Sequence, residues 1–109
     1  MYQVHKRLEI SASHKLTLSY ESKCENLHGH NWIIDIFIRG EELNQDGMLF
    51  DFTHIKRLIV DRLDHQNLND VLLFNPTAEN MAKWIHDQIK GCFRVDVQES
   101  ENNVASYME

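Results

Sequence analysis

The chain has little of what would mark it as anything but a folded soluble domain. One proline and four glycines in 109 residues exclude collagen-like and low-complexity chains. Two cysteines, Cys24 and Cys92, are too few for a disulfide framework. No apolar run approaches the ~20 residues that span a bilayer, and the start "MYQVHKRLEI" has no long apolar stretch of a secretory signal. A reducing cytoplasm is the simplest compartment for such a chain, and there an unpaired thiol is chemically useful. Basic residues are scarce: 11 Lys and Arg stand against 17 Asp and Glu, for a net charge of −6. A general nucleic-acid binder needs a basic face to displace counterions from phosphates, so neither nucleic acid nor membrane is an expected partner. An anionic small molecule stays open, because a few local cations override a mildly acidic whole.

What is present is ordinary for a globular protein: 42% hydrophobic and 26% charged residues. No linker or internal repeat divides the sequence, so residues 1–109 read as one domain. A domain of this size buries ~65% of its unfolded surface, a thin core that self-association would supplement.

Tyr2 to Ser13 alternates loosely, as a strand does, and a polar loop follows over 15–27. "HNWIIDIFIR" from His30 to Arg39 reads as a well-buried strand. Asp51 to Leu63 places Phe52, Ile55, Leu58, Ile59 and Leu63 on one helical stripe, with Asp51 or Thr53 as cap. "DHQNLND" ends that helix. Thr77 in "NPTAEN" caps a second helix whose apolar face is Met81, Trp84, Ile85 and Ile89, and Gly91 stops it. "CFRVDVQES" and "VASYM" finish as two strands around "ENN". Two hairpins with two helices between them predict an α+β fold: a four-stranded antiparallel sheet with helices on one face. Its open edges are a liability that pairing between identical subunits would remove, closing a larger barrel.

His28 and His30 stand two apart at the start of the second strand, so both project from one face. His14 ends the first strand, and hairpin pairing would bring it beside them. The three would then make a ligand set for zinc that keeps a fourth position for water or substrate, as catalytic sites do. Three unrelated half-buried histidines would leave the same pattern. His5, His54 and His86 read as surface residues.

Cys24 precedes this pair as Cys-x3-His-x-His. A structural site of two cysteines and two histidines would need a second cysteine nearby, and Cys92 belongs to a distant strand as a small core side chain. A thiol near zinc and a lysine such as Lys23 is a candidate base or nucleophile, and a loop cysteine without a role is the alternative. Asp64 and His65 are adjacent, and neighbours on a regular element do not face each other. At an irregular helix end, His65 could relay a proton while Asp64 favours its charged form. A helix-terminal histidine stabilised by the dipole is the commoner case. Glu99 ends the strand in "VDVQES". A carboxylate accepts two parallel N–H donors, and the 2-amino-4-oxopyrimidine edge of a pterin or guanine offers such a pair. Glu79 is an acid suited to a first helical turn.

The segments "SASHKL", "CENLHGHNW", "GMLFDF", "LDHQNLND", "NPTAEN" and "QES" occur in this order over most of the chain. Together they resemble the 6-pyruvoyl-tetrahydropterin synthase family, and within it the bacterial 6-carboxy-tetrahydropterin synthases of queuosine biosynthesis. The resemblance implies the tunnelling fold, in trimers that stack into hexamers with active sites between subunits. It implies one Zn2+ per subunit held by His14, His28 and His30. It implies Cys24, Asp64 and His65 as proton-transfer groups, Glu99 as the anchor of the pterin ring, and a His65 that serves a neighbour's zinc.

The implied reaction converts 7,8-dihydroneopterin triphosphate to 6-carboxy-5,6,7,8-tetrahydropterin, acetaldehyde and triphosphate. The short Cys-x3-His-Gly-His spacing favours this branch. The pyruvoyl-forming branch has a longer segment there. A folate-precursor branch, forming 6-hydroxymethyl-dihydropterin, uses a glutamate before the histidines, and Glu25 directly follows Cys24. A non-catalytic pterin- or metal-binding module is the alternative of another class. For so anionic a substrate, Lys15 and Lys23 are the expected cations at the pocket mouth.

Overall fold

Alternating apolar and polar side chains make two long strands, β1 (Tyr2–His14) and β2 (His28–Gly40), in a computed structural model that describes residues 1–109. They pair antiparallel from Tyr2 opposite Gly40 to His14 opposite His28. One face of this hairpin carries Leu8, Ile10, Ala12, Trp32, Ile34, Ile36 and Ile38, all buried. The loop between the strands contains a short 3-10 turn, Lys23–Glu25, capped by the Ser22 hydroxyl, which accepts from the Cys24 N–H at 3.2 Å.

Asp51 caps the next helix, its carboxylate accepting from the Thr53 N–H at 2.9 Å. This helix, α1, runs over 52–63 with a π turn, Lys56–Val60, between two α-helical pieces. Ile55, Ile59 and Leu63 are its buried side chains. They are spaced by four, a step that drifts ~40° around a regular α-helix. The wider π turn holds them closer to one line. Phe52 is exposed and Leu58 only half-buried, so the apolar stripe is narrower than the sequence predicts.

"DHQNLND" does more than end the helix. It forms β3 (Gln66–Asn67), which pairs parallel with Ala12 and Ser13, and then α2 (Leu68–Val71). α3 (Ala78–Gln88) starts at Thr77, whose hydroxyl accepts from the Asn80 N–H at 3.1 Å. Met81, Ile85 and Ile89 face the core, and Trp84 is half-buried beneath the Arg62 guanidinium at 4.8 Å. β4 (Cys92–Ser100) and β5 (Asn103–Met108) form the second hairpin, with Cys92 buried.

The sheet order is β3-β1-β2-β4-β5. The four antiparallel strands lie as the sequence predicts, in an α+β arrangement with helices packed on one face. The fifth, β3, is an addition that no alternation could signal in two residues. His86 also differs from expectation. Its side chain is only 11% exposed, held between Asp87 at 2.8 Å and Glu109 at 3.0 Å, because the end of the chain folds back over α3. His5 and His54 are exposed as expected.

Gly91 links α3 to β4 at φ 83°, and a Cβ there would lie 3.3 Å from both the Arg39 carbonyl oxygen and an Ile38 methyl. A left-handed conformation costs a residue with a side chain ~1–2 kcal/mol. Gly91→Ala should therefore lower the thermal midpoint by several degrees, as followed by circular dichroism. An unchanged midpoint would mean that the turn relaxes freely.

Candidate metal centre and active site

The hairpin register puts His14 opposite His28 and Ala12 opposite His30. All three imidazoles emerge on the core face, at the end of the sheet where the apolar side chains run out. Their ring centroids are 4.6 to 5.1 Å apart and the rings meet edge to face. Trp32 lies beneath them, 4.9 Å from the His14 ring and 5.2 Å from that of His30. Its indole N–H donates to the Ala12 carbonyl at 3.1 Å, so the buried ring leaves no polar atom unpaired.

Two backbone carbonyls orient the rings. The Pro76 oxygen lies 2.7 Å from His14 Nδ1, and the Asn26 oxygen lies 2.7 Å from His28 Nδ1. A carbonyl only accepts, so each Nδ1 carries the proton and each Nε2 keeps its lone pair free. The Nε2 atoms of His14 and His30 are buried without a hydrogen bond. Burial pushes the His14 imidazole below the ordinary histidine range, against the opposing Pro76 hydrogen bond. Burial lowers His30 as well, and Glu99 partly offsets it. Neutral imidazoles with free lone pairs are what a metal requires.

Glu99 completes the group. One ligand atom from each of His14, His28, His30 and Glu99 falls within 4.8 Å of the others. Glu99 Oε1 is 2.9 Å from His30 Nε2 and 3.7 Å from His14 Nε2. The shorter contact is not aligned as a hydrogen bond, since His30 Nε2 has no such partner. Three imidazoles and a carboxylate are donors that suit zinc, and unpaired nitrogens inside a protein fit that ion well. Sequence reasoning assigned Glu99 only to a pterin ring and missed its place beside the histidines. Glu99 also borders a polar cleft of about 460 Å3, between the start of α3 and the β4–β5 hairpin, lined by Glu79, Asn103 and Ser106 among others.

Cys24 is half-buried on the short turn after Ser22, with Lys23 and Glu25 exposed on either side. Its sulfur is not among the donors that converge with the histidines. Asp64 and His65 lie at the edge of β1. The Ser11 N–H donates to Asp64 Oδ1 at 2.8 Å, and the His65 N–H donates to the Ser11 carbonyl at 2.7 Å. Asp64 is extended and His65 left-handed at φ 59°. This irregular step brings His65 Nδ1 to 3.1 Å from Asp64 Oδ2, although the two are neighbours in sequence. The Ser11 hydrogen bond holds the Asp64 carboxyl below its ordinary range, with His65 assisting. The His65 side chain is 81% exposed and is not among the ligand atoms that converge with the three imidazoles.

The family model described as 6-pyruvoyl tetrahydropterin synthase matches residues 3–109. This chain belongs to that family. The 6-carboxy-5,6,7,8-tetrahydropterin synthase of Synechocystis sp. is 32% identical over 121 residues, covering 98% of this chain and 93% of the relative. The enzyme of the same name from Bacillus subtilis is 29% identical over 123 residues, covering 97% and 84%. Among solved structures, the 6-pyruvoyl tetrahydropterin synthase of Caenorhabditis elegans superposes with a TM-score of 0.79 at 26% identity, covering 99% of this chain and 95% of that one. Family membership makes the chain an enzyme of the pterin synthases and agrees with its fold. No helix is long and apolar enough to cross a membrane.

The carbonyl of Pro76 was not legible as part of the site, because it approaches His14 from 62 residues away. Its only sequence signal is the motif "NPTAEN", which reads as a helix start.

The lowered His14 and His30 values set the sign of a pH effect. Both groups are kept neutral in the folded chain, so the unfolded chain binds more protons as pH falls. The metal-free protein should lose stability as pH drops below about 6.5, the ordinary histidine value. Thermal melts of metal-free protein between pH 7.5 and 5 measure this, and His14→Leu should flatten the slope. A wild-type slope no steeper than that of the variant would contradict it.

Proposed function

We propose that this enzyme converts 7,8-dihydroneopterin triphosphate and one water to 6-carboxy-5,6,7,8-tetrahydropterin, acetaldehyde and triphosphate, as a zinc-dependent carbon–carbon lyase of 7-deazaguanine (queuosine) biosynthesis. The observation that carries this reading is the pair of buried, unbonded Nε2 atoms on His14 and His30 facing Glu99. His14, His28 and His30 would hold the ion. When bound, zinc supplies Lewis acidity toward the hydroxyls of the substrate side chain.

The chain's own residues do the rest. Glu99 turns from His30 toward the adjoining cleft and accepts the paired N–H groups of the pterin ring. Cys24, as thiolate, takes a proton from the side chain. His65, supported by Asp64, donates or accepts another. Lys15 and Lys23 are both exposed beside this loop and offer cations to the triphosphate.

The edges of the sheet support an oligomeric site. β5 has no outer partner, and β1 has none before Ala12 apart from the Asp64 and His65 contacts at Ser11. Pairing these edges between copies would close a barrel of trimers, stacked as a hexamer, and carry the exposed His65 to a neighbour's histidines. A second reading rests on Glu25, which shares its turn with Cys24. Under it the product is 6-hydroxymethyl-dihydropterin.

Incubating zinc-loaded protein with dihydroneopterin triphosphate and weighing the products decides between them. Acetaldehyde and the carboxy product support the first reading. Triphosphate release without acetaldehyde supports a pyruvoyl-forming enzyme, and the hydroxymethyl product supports the second reading. Cys24→Ala should cut turnover by ~100- to 10,000-fold, the worth of a general base, to a measurable remainder, with Glu25→Ala sparing it. Pterin binding without release of triphosphate would reduce the protein to a binding module.

Glu99→Gln supplies a separate check. It keeps a side chain of the same shape but loses the charge, so the substrate should bind ~10- to 100-fold more weakly, the worth of charge-assisted hydrogen bonds. Zinc should stay at one per chain by elemental analysis. Loss of zinc with unchanged substrate binding would make Glu99 a metal ligand instead of a ring anchor.

A further inference from the structure

The loop that carries Cys24 is held at its start by two asparagine side chains, beyond the end of β1. Asn69 Oδ1 accepts from the Lys15 N–H at 2.8 Å, and Asn69 Nδ2 donates to the Lys15 carbonyl at 2.9 Å. Two residues on, Asn75 treats Thr17 the same way, at 2.9 and 3.0 Å. A primary amide carries a donor and an acceptor in one plane, as a peptide does, so each asparagine stands in for a rung of a β-ladder. Leu16, between the two, presents its N–H to the other side and donates to the Cys24 carbonyl at 2.8 Å. A continuous set of hydrogen bonds thus runs from two side chains, through three extended residues, to the backbone of the cysteine.

Asn75 is itself anchored, its carbonyl accepting from the Thr77 N–H at 2.8 Å and from Asn80 Nδ2 at 3.0 Å. The next residue, Pro76, is buried and presents its carbonyl to His14 Nδ1. One dipeptide therefore orients a member of the histidine set and, through Thr17, fixes the path of the cysteine loop. Nothing else among the backbone hydrogen bonds ties residues 15–17 down.

We propose that Asn69 and Asn75 are positioning residues that place Cys24 relative to His14, His28 and His30. The catalytic meaning of that placement rests on the reading of Cys24 as a proton-transfer group given above. Neither asparagine needs to touch the substrate. Each acts through the backbone of the loop, so its loss changes where the thiol sits and leaves the metal donors in place.

The test uses Asn69→Ala and Asn75→Ala, each alone and in a Cys24→Ala background. Asn69→Ser and Asn75→Ser stand in should an alanine variant fail to fold. Each single variant should exchange the amide hydrogens of Lys15, Leu16 and Thr17 at least tenfold faster, while the core of β2 keeps its protection. Zinc should remain at one per chain. Turnover at saturating substrate should fall at least tenfold, and the same substitutions should cost nothing further in that turnover once Cys24 is alanine. Unchanged exchange at 15–17, or an equal loss of turnover with and without the cysteine, would overturn the proposal. Full turnover by Cys24→Ala alone would instead defeat the proton-transfer reading. The exchange measurement then decides by itself whether the asparagines hold the loop.

Discussion

Slip the β1–β2 pairing by one residue and His14 no longer shares a face with His28 and His30. The side-chain period of a strand is two, so register and face are the same constraint. The observed register, His14 opposite His28, is fixed by the longest apolar face of the fold: Leu8, Ile10 and Ala12 beside Trp32, Ile34, Ile36 and Ile38. A slip would turn one strand's share of these residues to water, at ~1.5–3 kcal/mol for each large side chain. The core thus selects the register, and the register gathers the histidines. The site costs the hairpin no extra element; it occupies the last rungs of a sheet that folds for other reasons.

Placing polar rings at the end of an apolar face carries its own cost, and the structure meets it locally. His14 is buried with its Nδ1 hydrogen-bonded to Pro76, and Trp32 spends its single donor on Ala12. What is left unpaired is the set of nitrogens that face Glu99. An uncompensated buried polar atom costs about 1–3 kcal/mol. Two such atoms side by side suit a cation that accepts lone pairs, which would satisfy both at once.

Much of this was legible in sequence because it follows from periodicity. The two long strands, the buried stripe of α1, the Thr77 cap and the left-handed Gly91 each rest on a local signal, and so does the projection of His28 and His30 from one face. What was not legible depends on residues far apart in sequence. Glu99 reaches the histidines only through the β2–β4 register, with a break in the β4–β5 pairing beside it. Asn69 and Asn75 sit in stretches that look like helix ends, and their amides pair with backbone more than 50 residues away. The π turn in α1 and the two-residue β3 leave no pattern because they are responses to packing.

The Asp64–His65 step closes one rung of the β1 edge and leaves the His65 ring exposed. Asp64 and the backbone of His65 occupy both hydrogen-bonding groups of Ser11, as a neighbouring strand would. Having done so, the chain turns left-handed at His65 and leaves its ring exposed, lining a shallow surface pocket with Ser11, Ser13 and Asn31. A histidine tolerates that conformation better than a β-branched residue, yet the strain is not free. Strain of this kind persists where a side chain must point somewhere that regular structure does not reach. The ring is not among the ligand atoms that converge with the three imidazoles. Under the function proposed above, the strained step, the exposed ring and the unpaired edge of β1 share one economical explanation: a second copy of the chain on that edge, whose own histidines would receive this His65.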